Sequence, residues 1–262
     1  MMNTVREPAV AGTFYPADPD ELRSMLQAYM REATPLQNAP RAMILPHAGY
    51  IYSGPVAATG YSCLLKYHNT FSRVVLLGPA HRVPFSGIAV PASQAFMTPL
   101  GAVAIDRDAI KRLIDLPQVH RLDEAHRLEH SLEVHLPFLQ VSLDEFSLVP
   151  LVVGEAGAEE VCEVLEALAD DSRTIIIVSS DLSHYHDYAT ARRLDAATTR
   201  TIEALDFESL GYEQACGRNP VSGLLLYARR HGLAATTLDL RNSGDTAGPH
   251  DQVVGYGAYV FS

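Results

Sequence analysis

Several things that the sequence lacks exclude whole classes of protein. It contains no Trp and only three cysteines, Cys63, Cys162 and Cys216, which lie far apart without a CxxC spacing. That spacing predicts buried, reduced thiols rather than a disulfide framework. Twenty Lys and Arg against 31 Asp and Glu give a formal net charge of −11, and no basic cluster interrupts the balance. Nucleic acid and anionic membranes are therefore not expected as partners.

Long apolar runs are also missing. No stretch approaches the ~18 apolar residues that a membrane-spanning helix needs. The first sixteen residues lack the apolar core of a signal peptide. The sequence therefore predicts a cytoplasmic protein without membrane association.

Short apolar runs and helix-period stretches alternate along the chain. With 262 residues and 47% hydrophobic residues, one domain spanning residues 1–262 is expected. This alternation predicts a three-layer α/β fold, with a central, mostly parallel or mixed sheet flanked by helices. The predicted strands are 42–47, 73–81, 86–91, 146–154, 173–181, 234–242 and 253–261. The predicted helices are 18–30, 54–67, 106–115, 131–141, 158–169, 188–204 and 220–231.

Three predicted strands end in polar, histidine-bearing turns. His47 is the last residue of the strand at 42–47, His81 of the strand at 73–81, and Asp181 of the strand at 173–181, with His184 shortly after it. Ligands of open α/β sheets bind beyond the carboxyl ends of the strands. A single histidine there could simply cap its strand, but two in the same topological position favour a shared metal site.

The segment 124–139 carries three further histidines. His126 and His130 are four residues apart, as in half of an HExxH zinc site, but Arg127 stands where that motif has Glu. His130 and His135 diverge on an ideal helix. We therefore expect His130 to reach the pocket, and His126 and His135 to be structural or to support the site.

The string SSDLSHYH, residues 179–186, is the most distinctive one. Asp181 could orient the His184 imidazole and raise its basicity, as a general base requires. The alternative is that Asp181 or Ser183 caps the helix that is predicted from Tyr188. The two interpretations are compatible, but capping does not account for His184 and His186.

Together these motifs resemble the MEMO family, whose prokaryotic members are also called AmmeMemoRadiSam system protein B. The resemblance covers Arg6 to Phe261. It rests on REPAVAGTFYP, PHAGYIYSG, LLGPAH, EHSLEVHLPFL and SSDLSHYH, in this order. It implies the fold of the class III extradiol dioxygenases, which are non-haem Fe(II) enzymes. It also implies metal-binding roles for His47 and His81 and pocket roles for Asp181 and His184, with His184 as the acid/base.

The third metal ligand departs from the family pattern. Animal members supply a Cys near the C-terminus, whereas the stretch 241–252 contains none. Asp245 is the nearest carboxylate, with Asp251 and His250 as alternatives. Two histidines and one carboxylate form the triad that Fe(II) favours, so Fe(II) is expected ahead of copper or zinc.

The sequence thus predicts a metal-dependent oxidoreductase with His47, His81 and Asp245 as ligands, and His184, Asp181 and His130 around the reacting atoms. Its substrate would be a small molecule, and Tyr50, Tyr52 and Tyr185 are candidates for stacking on an aromatic ring. One alternative is a binding or adaptor protein without turnover. Another, implied by the resemblance, is a subunit of a redox assembly with AMMECR1-like and radical-SAM proteins.

Overall fold

The computed structural model describes residues 5–31, 39–169 and 171–262, and a nine-stranded sheet lies at its centre. The first four residues, on which part of the signal-peptide prediction rests, lie outside the described residues. The strands in chain order are β1 (Val5–Arg6), β2 (Ala42–Leu45), β3 (Arg73–Pro79), β4 (Ile88–Val90), β5 (Ala95–Thr98), β6 (Gly101–Ala104), β7 (Val119–Arg121), β8 (Ser147–Val153), β9 (Thr174–Ser179), β10 (His184–His186), β11 (Ala235–Asn242) and β12 (Val253–Phe261).

The four middle strands of the central sheet run parallel to one another, and the next strand on each side is antiparallel to them. The order of the sheet is β10-β12-β2-β9-β3-β8-β4-β7, and β11 also pairs with β12. Strands β2, β9, β3 and β8 run parallel, whereas β12 is antiparallel to β2, and β4 is antiparallel to β8. The parallel strands are almost entirely buried, as their continuous apolar sequences predict. A separate three-stranded sheet has the order β1-β5-β6.

Helices flank the central sheet. They are α1 (Pro19–Arg31), α2 (Tyr50–Ser62), α3 (Arg107–Leu113), α4 (Asp123–Arg127), α5 (Leu136–Ser142), α6 (Ala158–Leu168), α7 (Tyr188–Glu203) and α8 (Arg218–Arg230). Helix α2 packs on β2, β11 and β12 and contacts α1 and α5, whereas α8 packs on β3 and β9 with α6 beside it. Helix α7 contacts β11 and β12. No helix in the described part of the chain is long and apolar enough to cross a membrane.

The three-layer α/β prediction and the seven predicted strands are confirmed, with short elements added. Strands β1, β5, β6, β7 and β10 and helix α4 span only two to five residues each, too few for a periodic signal. The helix predicted at 131–141 is instead a 3₁₀ turn at Glu133–His135 followed by α5. Pro137 lies in the first turn of α5, where its missing N–H costs no helical hydrogen bond.

Candidate metal centre

A cavity of about 810 Å³ opens beyond the carboxyl ends of three parallel strands. His47 lies two residues after β2, His81 two after β3, and Asp181 two after β9, and all three side chains line the cavity. Because β2, β9 and β3 are adjacent and parallel, their ends converge at one edge of the sheet. The expectation that these strand-end side chains meet in one pocket therefore matches the structure.

Hydrogen bonds behind His47 determine which ring nitrogen faces the cavity. Its Nδ1 lies 2.6 Å from Ser179 Oγ, and that hydroxyl donates its proton to Ser131 O at 2.6 Å. The Ser179 hydroxyl can therefore only accept from His47, so Nδ1 carries the proton and Nε2 a lone pair. Burial lowers the pKa of His47 well below its usual value, with the nearby His81 and His130 adding to the effect. The imidazole is thus neutral, the form that binds metals.

Glu129 holds His81 in the same tautomer. Its carboxylate accepts from His81 Nδ1 at 2.9 Å and from His81 N at 2.6 Å. Burial alone would raise the pKa of Glu129, but the hydrogen bonds from His81 and Ser131 lower it to about 2. The ionised carboxylate accepts a hydrogen bond from Nδ1–H, which leaves the lone pair of a neutral His81 on Nε2.

Cys216 lies beside His47 and His81 and forms a compact cluster with them. Its Sγ lies 3.4 Å from His47 Nε2, and one ligand atom from each of His47, His81 and Cys216 falls within 4.8 Å of the others. Cys216 immediately precedes Gly217, the residue before α8, where a Cβ would come within 2.5 Å of Ser179 O. Glycine permits this close backbone approach, which brings the thiol to the ends of β2 and β9.

Asp245, predicted as the third ligand, does not join this group. Its carboxylate accepts from Tyr188 Oη at 2.6 Å and from Asn242 N at 2.9 Å, closing the 3₁₀ turn Ser243–Asp245. It does not line the cavity and belongs to no metal-ligand cluster among the described residues. Its alternative His250 stacks on Tyr188 and bonds Gly244 O. The side chain beside His47 and His81 in the structure is the thiol of Cys216 and not the carboxylate of Asp245.

The other predicted pocket residues line the cavity, with one change of role. His184 Nδ1 donates to Leu182 O at 2.8 Å, so its Nε2 carries the lone pair. The sequence assigned the orientation of His184 to Asp181, but the Asp181 carboxylate instead accepts from His47 N at 2.8 Å. The Leu182 carbonyl orients His184. Burial raises the pKa of Asp181 to about 6, against the lowering effect of the hydrogen bond from His47 N.

His130 also lines the cavity, as predicted, and stacks on His81 with ring centroids 4.8 Å apart. Burial lowers its pKa to about 4. His81, Glu129 and His130 form a second compact group of possible ligands. Glu129 Oε1 already accepts from His81 Nδ1, His130 N and Ser131 N, so this carboxylate is satisfied within the protein.

The remaining histidines of the segment 124–139 make their hydrogen bonds outside the cavity. His126 Nε2 bonds Ala89 O, and His135 Nδ1 bonds Tyr61 Oη. Burial lowers the pKa of His126 to about 4 and that of His135 to about 3. Neither lines the cavity.

Aromatic side chains supply much of the remaining cavity wall. They are Phe14, Tyr52, Tyr185, Tyr212 and Tyr256. Tyr185 and Tyr212 are 71% and 68% exposed, whereas Tyr50 is buried, with its hydroxyl on Val134 O. Among the described residues, no Lys or Arg lines the cavity. The cavity thus offers flat apolar surfaces beside the imidazoles and the thiol.

The molecule is therefore a mixed α/β protein with a compact His–His–Cys cluster at the carboxyl ends of its parallel strands. A family model described as "Memo-like protein" matches residues 6–260. A MEMO1 family protein of Saccharolobus islandicus is 35% identical, covering 98% of this chain and 99% of its own length. One from Methanopyrus kandleri is 37% identical, covering 98% of each chain. The chain belongs to the Memo family.

Among solved structures, the chain is similar to an uncharacterized protein from Escherichia coli K12. It is 14% identical, with a TM-score of 0.49, and the match covers 85% of this chain and 99% of that one.

Proposed function

We propose that this protein binds one transition-metal ion through Nε2 of His47, Nε2 of His81 and Sγ of Cys216, and acts as a metal-dependent oxidoreductase on a small aromatic molecule. The observation that carries this proposal is the cluster itself, with three ligand atoms within 4.8 Å of one another. The protein fixes the second nitrogen of both imidazoles, a recurrent feature of metal-binding histidines. The donor set therefore fits a metal ion.

The thiol changes the expected metal. The Fe(II) prediction depended on a carboxylate at Asp245, whereas a thiolate with two imidazoles favours a softer ion. We therefore place Cu(I) ahead of Fe(II) in affinity, and keep Fe(II) as the second candidate. Either bound ion would supply redox activity and Lewis acidity.

The protein's own groups have separate roles in this proposal. The aromatic walls offer flat surfaces on which a ring can stack beside the cluster. His184, with its Nε2 lone pair free, accepts a proton from the bound molecule as general base. Asp181 fixes the backbone at His47 and keeps the Nε2 atom of that residue in place.

An anaerobic titration with Cu(I) and Fe(II), followed by metal analysis of the desalted protein, tests the site. We expect about one ion per chain, and loss of binding in His47→Ala, His81→Ala and Cys216→Ser. Asp245→Asn is the matched comparison and should bind as the unaltered protein does. Full binding by Cys216→Ser together with loss in Asp245→Asn would restore the carboxylate site and refute this one.

The adaptor alternative would require the cavity to bind a partner, and the cavity does not suit a phosphorylated peptide. Such recognition relies on Arg side chains that face the phosphate. The cavity is lined by the carboxyls of Asp181 and Glu213. Among the described residues, no Lys or Arg lines it. Assembly with AMMECR1-like and radical-SAM proteins stays a prediction from the family resemblance.

A further inference from the structure

We infer that Arg6 is a positioning residue for the metal centre: it clamps the segment 126–133, which contains Glu129, and thereby sets the orientation of His81. This inference rests on the metal site proposed above. It gives a role to the N-terminal segment Val5–Tyr15, which lies far from the cluster in sequence and supplies none of its three ligands.

The Arg6 guanidinium donates three hydrogen bonds to the segment 126–133. Nε donates to His126 O at 2.6 Å, Nη2 to Glu129 O at 2.7 Å, and Nη1 to Glu133 Oε2 at 2.7 Å. Arg6 is 8% exposed and its partner Glu133 is fully buried. Two of these bonds go to backbone carbonyls, so they fix the path of the segment rather than one side chain.

Glu133 binds the N-terminal segment from the other side. Besides Arg6, its carboxylate accepts from Ala9 N at 2.7 Å, Val10 N at 3.0 Å and Tyr15 Oη at 2.6 Å. A buried carboxylate needs this many donors to offset the loss of hydration. The two segments are therefore joined by a network that neither can satisfy alone.

The segment 126–133 that Arg6 binds also contains Glu129, which orients His81. Arg6 binds the backbone carbonyl of Glu129, and the Glu129 carboxylate binds both Nδ1 and the backbone N–H of His81. A shift of the segment would therefore move the Glu129 oxygens and rotate the imidazole. The N-terminal segment also places Phe14 in the cavity wall, with its ring centroid 4.9 Å from that of His130.

Arg6→Lys tests this role while keeping a charge opposite Glu133. A lysine has no planar fork, so it cannot bind both backbone carbonyls and the carboxylate in this geometry. Co(II) is the probe, because its d–d absorption reports ligand geometry. We expect Co(II) affinity to fall ~10-fold or more, the range for loss of groups that support a metal ligand, with altered d–d bands.

Arg73→Lys is the matched control, since Arg73 also pairs with a mostly buried carboxylate, that of Asp106, but supports no cluster ligand. It should keep the affinity and spectrum of the unaltered protein. Tyr15→Phe removes one donor to Glu133 and should give a smaller loss of affinity than Arg6→Lys. If Arg6→Lys does not fold, Tyr15→Phe becomes the variant that tests the positioning role of this network.

The outcomes separate this inference from the metal site itself. Unaltered affinity and spectrum in a folded Arg6→Lys, or in Tyr15→Phe if that is the deciding variant, would overturn the positioning role and leave the site intact. An equal loss in Arg73→Lys would overturn it as well, because the effect would then be general destabilisation. Failure of the unaltered protein to bind Co(II) would remove both proposals.

Discussion

The tautomers of His47 and His81 depend on single side chains behind them. The Ser179 hydroxyl accepts from His47 Nδ1 and donates to the Ser131 carbonyl. The Glu129 carboxylate accepts from His81 Nδ1 and from the N–H groups of the two residues that follow it. Each fixes a lone pair toward the cluster without lying in it. Sequence motifs of metal ligands do not reveal such supporting groups, although in metalloproteins generally they strongly affect metal affinity.

Ser179→Ala should weaken metal binding by ~10–100-fold, because His47 loses the acceptor that fixes its tautomer. An isothermal titration with Cu(I) or Fe(II) under anaerobic conditions measures the change. Ser142→Ala is the control, since Ser142 is equally buried but bonds Phe138 O. Equal affinity in the unaltered protein and Ser179→Ala would show that the ring orientation of His47 is set by packing alone.

His184→Gln separates the proposed general base from the ligands. Gln keeps hydrogen bonding but cannot exchange a proton near neutral pH. Metal affinity should therefore stay within about threefold, far from the loss expected for a ligand. Turnover on an aromatic substrate should fall by ~10²–10⁴-fold. Loss of the metal in this variant would make His184 a ligand and contradict its assignment as general base.

Particular residues show which parts of the site could be predicted from the sequence. His47, His81 and Asp181 each follow a recognisable buried strand, and the parallel topology then requires their proximity. Cys216 follows no such strand, lies 169 residues from His47, and reaches it through the close approach at Gly217. One available signal was that Cys216 is the last cysteine in a family expected to use one near its C-terminus.

At the scale of elements, the long buried strands and amphipathic helices were predictable and the short connecting elements were not. Strands β2, β3, β8 and β9 have continuous apolar sequences, and α6 and α7 have clear helical periodicity. Strand β1 has only two residues, and it pairs with β5 while its Arg6 side chain bonds Glu133, 127 residues away in the chain. Tertiary contacts of this kind leave no local pattern in the sequence.

Asp106 illustrates how one side chain stabilises two elements. Its carboxylate caps α3 through Ala109 N at 2.9 Å and pairs with Arg73, the first residue of β3, at 2.8 Å. Asp106→Ala should lower the free energy of unfolding by about 1–2 kcal/mol, the usual cost of a lost N-cap. Asp106→Asn keeps a capping oxygen and should cost less. Urea unfolding at neutral pH measures both.

The same carboxylate gives a pH dependence with a defined sign. Burial raises the pKa of Asp106, but hydrogen bonds from Ala109 and Arg73 and the charge of Arg73 outweigh it and leave the pKa below its usual value. The stabilisation is therefore present above about pH 4 and is lost as the pH falls through the lowered pKa. The difference in stability between the unaltered protein and Asp106→Asn should shrink below about pH 4. A difference that grows there would contradict this assignment.

At the scale of the whole molecule, the cluster joins parts of the fold that are distant in the chain. His47 follows β2, His81 follows β3, and Cys216 precedes α8, so one bound ion would cross-link the central sheet to the helix packed on it. The net charge of −11 also attracts cations to the surface without any specific site. Stabilisation by a metal is therefore informative only when it depends on the cluster residues.

Zn(II) at ~1,000 times its dissociation constant should add about 4 kcal/mol to the free energy of unfolding, because it binds the folded state alone. For a chain of this size, that is a rise in Tm of about 10 °C, which scanning calorimetry can resolve. A chelator should reverse the shift. Cys216→Ser and His47→Ala should lose most of the rise, whereas Asp245→Asn should keep it. An equal rise in all of these variants would mean that Zn(II) stabilises the protein through its acidic surface and not through the His–His–Cys cluster.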